Sequence, residues 1–150
     1  MRRSVLLATV GLVVSACGHE FHPPDSGERR QEAEAFYSVE MFDSLRWEND
    51  SVRSFEGNAV YAAKCRRCHG TMGGGDTEYA RSRELAVLSL VEPEWPFGSS
   101  LDSLRHAIFT GHEGGMPGFG VAGITTREID ASAFFILFTL RPEVLGSGQD

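Results

Sequence analysis

The sequence predicts an all-α fold, because three stretches place apolar residues at helical spacing and carry capping chemistry at their ends. The last stretch is the clearest. Thr125-Thr126-Arg127-Glu128 is a capping box, in which a hydroxyl and a carboxylate satisfy each other's backbone amides. Ile129, Ala133, Ile136, Leu137 and Leu140 follow on one face, and Phe134, Phe135 and Phe138 widen the apolar surface; Pro142 is expected to close the helix. A second helix is predicted over 100–110, with Ser100 as its cap, Leu101, Leu104 and Ile108 as its inner face and Gly111 as its stop. A third is predicted from Ser54, its expected cap, through Val60, Tyr61 and Ala62. Gly57, Tyr61 and Cys65 fall four apart on its face, and a glycine there allows another helix to come close.

The third helix runs into Cys65-Arg66-Arg67-Cys68-His69, a C-x-x-C-H run and the signature of covalent c-type haem attachment. Two thiols three residues apart share one helical face and can each add across a haem vinyl group. The histidine that follows then lies under the iron as the proximal donor. A C-x-x-C pair alone would also suit a zinc half-site or a redox dithiol; the histidine separates the readings. Of the three cysteines in the chain, these are two.

The third is Cys17. Arg2 and Arg3 precede an apolar run from Val5 to Val14, of the ~7–15 residues expected of a signal peptide and too short for the ~20 of a membrane span. It ends in Val14-Ser15-Ala16-Cys17, which resembles the lipobox of bacterial lipoproteins. Residues 1–16 are therefore expected to be an export signal and Cys17 a lipidation site. The protein would then be lipid-anchored on the extracytoplasmic, periplasmic side of a bacterial membrane. An ordinary signal peptide with an incidental cysteine is the alternative, and it too exports the chain.

The remaining organisation follows from charge and punctuation. Formal charge is −7, which argues against nucleic acid as a partner. Residues 18–50 hold nine acidic and three basic side chains, and 51–150 hold twelve and nine. Residues 17–52 are read as an acidic tether; His19 and His22 within it are not expected to bind metal, and 18–34 show no apolar period. Phe36, Tyr37, Val39, Met41, Phe42, Leu45 and Trp47 are too many large apolar groups for a free linker. The stretch 35–47 is expected to pack on the domain or on a partner protein. The compact domain is placed at 53–142, and 143–150 is read as a loose tail.

Within the domain, Gly70 to Asp76 is a loop that ends the first helix, and Met72 in it is too near His69 to reach around a haem. Residues 78–90 are expected to be partly helical, with Leu85, Leu88 and Leu90 as core or pocket residues. Trp95, between Pro93 and Pro96, is either core or a donor to a haem propionate. His106 lies off the inner face of its helix. The glycine-rich loop Gly111–Gly120 presents Met116, which lies 47 residues beyond His69, far enough to place a thioether on the other side of the ring. His112 in the same loop is its competitor.

Together these residues resemble the small bacterial monohaem form of class I cytochrome c, over about Ser54 to Pro142. Cys65, Cys68 and His69 match the attachment motif. Met116-Pro117 with Phe119 matches the axial-methionine loop. Gly57 and Tyr61 match the positions where the N-terminal helix crosses the C-terminal one, with Phe135 or Ile136 facing them. The resemblance implies helices wrapped around one covalent haem c, iron held by His69 and Met116, and an electron carrier rather than an enzyme. Its partners would be redox proteins of a membrane respiratory complex, an oxidase or a dehydrogenase. One feature departs from the family: the proline whose carbonyl usually accepts the proximal histidine's N–H is missing, since none occurs between His69 and Glu92. Two alternatives stand beside the carrier: an enzyme or gas sensor with an open distal site, and a fixed electron-transfer subunit of a larger complex. No hydrolase triad or phosphate loop competes.

Overall fold

The computed structural model describes residues 25–98 and 100–146. The export signal and Cys17 lie outside the described residues, as do residues 18–24 of the tether and the last four of the tail. The described residues form helices α1 (Ser26–Phe36), α2 (Asp50–Val60), α3 (Arg66–His69), α4 (Glu78–Ser82), α5 (Leu101–Thr110), α6 (Thr126–Phe135) and α7 (Arg141–Gly146). The all-α expectation holds: among the described residues the only extended pairing is a single antiparallel bridge between His112 and Met116. No helix among them is long and apolar enough to cross a membrane.

The architecture rests on α2 crossing α6. Gly57 sits at the crossing: a Cβ built there would lie 2.0 Å from the carbonyl oxygen of Ala131 and 2.7 Å from the Cβ of Phe135. Ala131 and Ala133 are fully buried and Ser132 is 1% exposed, so small residues on α6 meet the glycine on α2. One turn on, the rings of Tyr61 and Phe135 pack with centroids 5.6 Å apart. The Tyr61 hydroxyl donates to the carbonyl of Gly70 at 2.7 Å. This fixes the end of the attachment helix from within the core.

Both long helices contain a π-helical turn. Tyr61–Cys65 joins α2 to α3, and Ile136–Leu140 joins α6 to α7. Such turns recur at functional positions, because one extra residue re-aims the side chains that follow. Here the first ends on Cys65. The second explains why Pro142 does not close the helix as the sequence implied: the proline falls in the first turn of α7, where its missing N–H costs least. Residues 143–146, read as tail, are therefore helical. Buried Arg141 secures them: its guanidinium donates to the carbonyls of Leu90 and Glu92 and lies 5.0 Å from the Trp95 ring centroid.

Two boundaries also moved. Helix α2 begins at Asp50, capped by the Asn49 side chain, which accepts from the Val52 amide at 2.9 Å. Ser54 is inside the helix, its hydroxyl 2.6 Å from that of Thr139. The tether reading fails over Ser26–Phe36, which forms α1 behind an Asp25/Glu28 capping box. Its one buried residue is Ala33, with no exposure at all. The 35–47 stretch packs on its own domain, with Phe42 4% exposed and Tyr37, Met41 and Leu45 against the core. The capping box at Thr125, the Ser100 cap and the Gly111 stop are as read; Gly111 has φ +74°.

A buried carboxylate ties these pieces together. Asp130 of α6 is fully buried; it accepts from Trp47 Nε1 at 2.7 Å, from Arg53 Nε at 2.9 Å and from Arg105 Nε at 2.9 Å. One side chain thus links the segment before α2, α2 itself, α5 and α6.

The crossing gives a direct prediction. Gly57→Ala should destabilise the holoprotein by about 3 kcal/mol or more, since a methyl cannot share space with a backbone carbonyl in a close-packed core. Urea unfolding followed by far-UV circular dichroism measures it, and a loss below about 0.5 kcal/mol would show that the helices part without cost.

Candidate cofactor site

Cys65 closes the first π-helical turn, and Cys68 and His69 end the rod in α3. The chain then breaks at Gly70, with φ +79°. Thr77, the cap of α4, holds this end in place: its hydroxyl lies 3.0 Å from the carbonyl of Arg67 and 3.2 Å from that of Cys68. The Gly75 amide donates to the His69 carbonyl at 2.9 Å. The loop after the motif is therefore a clasp. The threonine-acid pair Thr77-Glu78 was the sequence signal for it, and the reading missed it.

Cys65, Cys68 and His69 line a cavity of about 540 Å³, whose far wall is His112, Met116 and Phe119. That size falls within the ~300–1,000 Å³ of cofactor and ligand sites. A narrow crevice of about 30 Å³ continues from it into the core, bounded by Cys65, His69, His112 and Met116 and by buried Leu90, Trp95, Leu104, Ile108 and Ile136. The two form one slot, wet at its mouth and apolar at its base. A cavity of about 830 Å³ is elsewhere. It lies between α1 and the Met116 loop and touches neither Cys65, Cys68 nor His69.

The chemistry of the slot suits a covalently held haem. Both cysteines are free, and burial beside Cys68 pushes the Cys65 thiol up to about 12, so it stays a neutral thiol. His69 is 8% exposed and its pKa is lowered, first by burial, against an opposing pull from the Leu88 backbone and with a further push from His112. The ring is neutral at neutral pH and keeps a lone pair for a metal. Its Nδ1 is buried without a hydrogen-bond partner. The Leu88 backbone polarises the ring, but no hydrogen bond is formed.

The structure thus brings Cys65, Cys68, His69 and Met116 to one slot, as the sequence implied. It also brings His112 there. His106 is not part of it; its Nε2 lies 2.9 Å from a Glu34 carboxylate oxygen. Met72 is 52% exposed in the loop after the motif. Leu90 and Trp95 are core residues facing the crevice, and Leu88 is 49% exposed. The mouth carries Lys64, Arg67 and Arg83 with no carboxylate among its lining, although the chain as a whole is acidic. Arg67 stacks on Tyr79 at 3.8 Å.

A helical domain with this attachment motif buried against a methionine-bearing loop is a cytochrome c domain, which binds haem c covalently and transfers electrons. The chain belongs to the family described as cytochrome c oxidase, cbb3-type, subunit III, whose model matches residues 55–136, more than half of its length. No curated protein and no solved structure matches it.

Covalent attachment through both thioethers is directly measurable. The haem should stay with the protein in acid acetone and in a denaturing gel, and Cys65→Ser with Cys68→Ser should release it. Free extraction from the wild type would contradict the assignment.

Proposed function

We propose that this protein is a membrane-anchored, extracytoplasmic monohaem cytochrome whose iron is held by His69 and Met116 and which carries single electrons between respiratory partners. When bound, the haem supplies reversible one-electron chemistry; the protein supplies ligands, burial and a docking surface. A filled sixth position keeps small molecules from the iron, which separates a carrier from an enzyme or sensor.

The observation that carries the ligand assignment is a hydrogen bond. The Gly114 amide donates to His112 Nδ1 at 3.1 Å. A neutral imidazole that accepts at Nδ1 carries its proton on Nε2, so neither nitrogen has a lone pair left for iron. His112 is neutral, because burial lowers its pKa and Arg30 adds to the effect. Met116 in the same loop has a thioether with no competing partner chemistry, and His/Met ligation favours a high potential. Ferric protein should show the weak red-edge charge-transfer band of thioether ligation. Met116→Ala should abolish it, lower the potential and admit carbon monoxide; His112→Ala should leave it. A wild type that lacks the band and binds carbon monoxide readily supports the enzyme-or-sensor reading instead.

The fixed-subunit reading has one observation in its favour: the family it belongs to is named for an oxidase subunit. In either case the basic mouth favours a partner that presents carboxylates around its own electron port.

Anchoring rests on the apolar run before Val14-Ser15-Ala16-Cys17. Intact mass should show an N-terminus at Cys17 with acyl chains, since one chain binds only marginally and several hold firmly. Cys17→Ser should free the protein from membranes. A soluble, unacylated wild type would rule the anchor out.

A further inference from the structure

Helix α1 lies outside the residues that match the family, yet it is built against the loop that carries Met116. That loop has little structure of its own. Five glycines fall between Gly111 and Gly120, and its internal bonds include the His112–Met116 bridge, a Gly115 amide on the His112 carbonyl at 3.3 Å and the Gly114 amide on His112 Nδ1 at 3.1 Å. Glycine-rich backbone loses the most freedom on ordering, so such a loop holds one shape only if its surroundings impose it. One end is tied to α5, through the Phe119 amide on the Ile108 carbonyl and the Gly120 amide on that of Phe109. Its middle lies against Leu85 and Ala86, 2.8 Å and 2.5 Å from where Gly115 and Gly114 Cβ atoms would stand, and its outer side is supported by α1. Arg30 pairs with Glu113 at 3.1 Å, and the Ala33 methyl is 3.3 Å from where a Gly118 Cβ would stand.

The fastening of α1 is light. Ala33 is its one buried residue. Tyr37, just beyond it, sits edge-on to His106 at 4.6 Å and Phe109 at 5.4 Å, and Glu34 reaches His106. A helix this short does not persist alone. The 830 Å³ cavity between α1 and the loop means that α1 straddles the loop and does not seal it. We propose that α1 is a detachable strap over the axial-ligand loop, with Ala33 and Arg30 as positioning residues that set how firmly Met116 is presented. This rests on Met116 being the distal ligand. Lifting α1 loosens that side of the loop and lets the thioether leave, while the attachment helix and its α6 crossing stay in place.

The test uses the full-length holoprotein with Ala33→Asp, which buries a charge, Ala33→Trp, which adds bulk, and Arg30→Ala. Three readouts are taken: trypsin cleavage at Arg29 and Arg30 as a report of strap release, the red-edge thioether band during a urea titration, and the rate of carbon monoxide binding to ferrous protein. The Ala33 variants should be cleaved faster, lose the band at lower urea and bind carbon monoxide at least tenfold faster. Arg30→Ala removes one of the two cleavage sites, so it is read by the band and by carbon monoxide binding, both of which should shift the same way by a smaller factor. Covalent haem should be unchanged, and helix content should fall by no more than the eleven residues of α1. If the wild type shows no band, Met116 ligation fails and the strap falls with it. If the wild type shows the band and a cleaved-faster variant keeps wild-type band and carbon monoxide behaviour, the strap alone is overturned. Unchanged cleavage in both Ala33 variants also overturns it, because the one buried residue of α1 would then not be what holds it.

Discussion

The contact of α2 on α6 is the constraint from which the cofactor site follows. Without a side chain at Gly57 the two backbones approach until Ala131 and Phe135 fill the space a Cβ would take. That approach fixes the direction of the α2 rod. Tyr61 then packs on Phe135 and bonds Gly70, so both ends of the Cys65–His69 motif are referenced to α6. Cys65 and Cys68 would form the two thioethers to a haem, and His69 beside them would supply an imidazole to its iron, so the three side chains must be held in fixed relation. Orientation of this kind is worth most when the groups sit on a rigid element. The π-helical turn just before Cys65 adjusts the rod's phase without breaking it.

Charge in the core completes the frame. Asp130 collects an indole N–H and two guanidinium groups, and Arg141 collects two carbonyls beside the Trp95 ring. A buried pair of this kind contributes little net stability compared with apolar replacements, but losing one partner costs about 3–5 kcal/mol. Its effect is to specify one arrangement. Trp47 and Arg53 cannot reach Asp130 unless the segment before α2 runs across α6. Arg105 cannot do so unless α5 lies alongside. Arg141 does the same for the loop at 90–95, which forms the base of the slot.

Helices α2, α5 and α6 were legible because each announces itself locally, by a cap or a period of four, and the sequence also pointed to the four side chains that line the slot, Cys65, Cys68, His69 and Met116. What was not legible depended on distant partners. Nothing in Ser26–Phe36 marks it as packed, since its contribution to the core is one methyl group. Ser54 and Asn49 are both good caps by type; Thr139, 85 residues on, claims the Ser54 hydroxyl and leaves Asn49 the role. Asp130 reads as one more surface acid on a capped helix until Trp47, Arg53 and Arg105 are seen around it. Pro142 follows the usual stop rule, and only the π-helical turn before it makes it a helix start.

The proximal histidine shows how a missing residue is answered by the fold. With no proline after the motif, the loop returns through Leu90, whose amide donates to the Gly73 carbonyl at 2.8 Å, and this carries Leu88 past the His69 ring. The Leu88 backbone pulls on the imidazole without forming a hydrogen bond to Nδ1. A ligating imidazole with a strong acceptor behind it is a more basic donor and stabilises the oxidised metal. Here the Leu88 backbone raises the ring's basicity, and burial, the larger effect, lowers it.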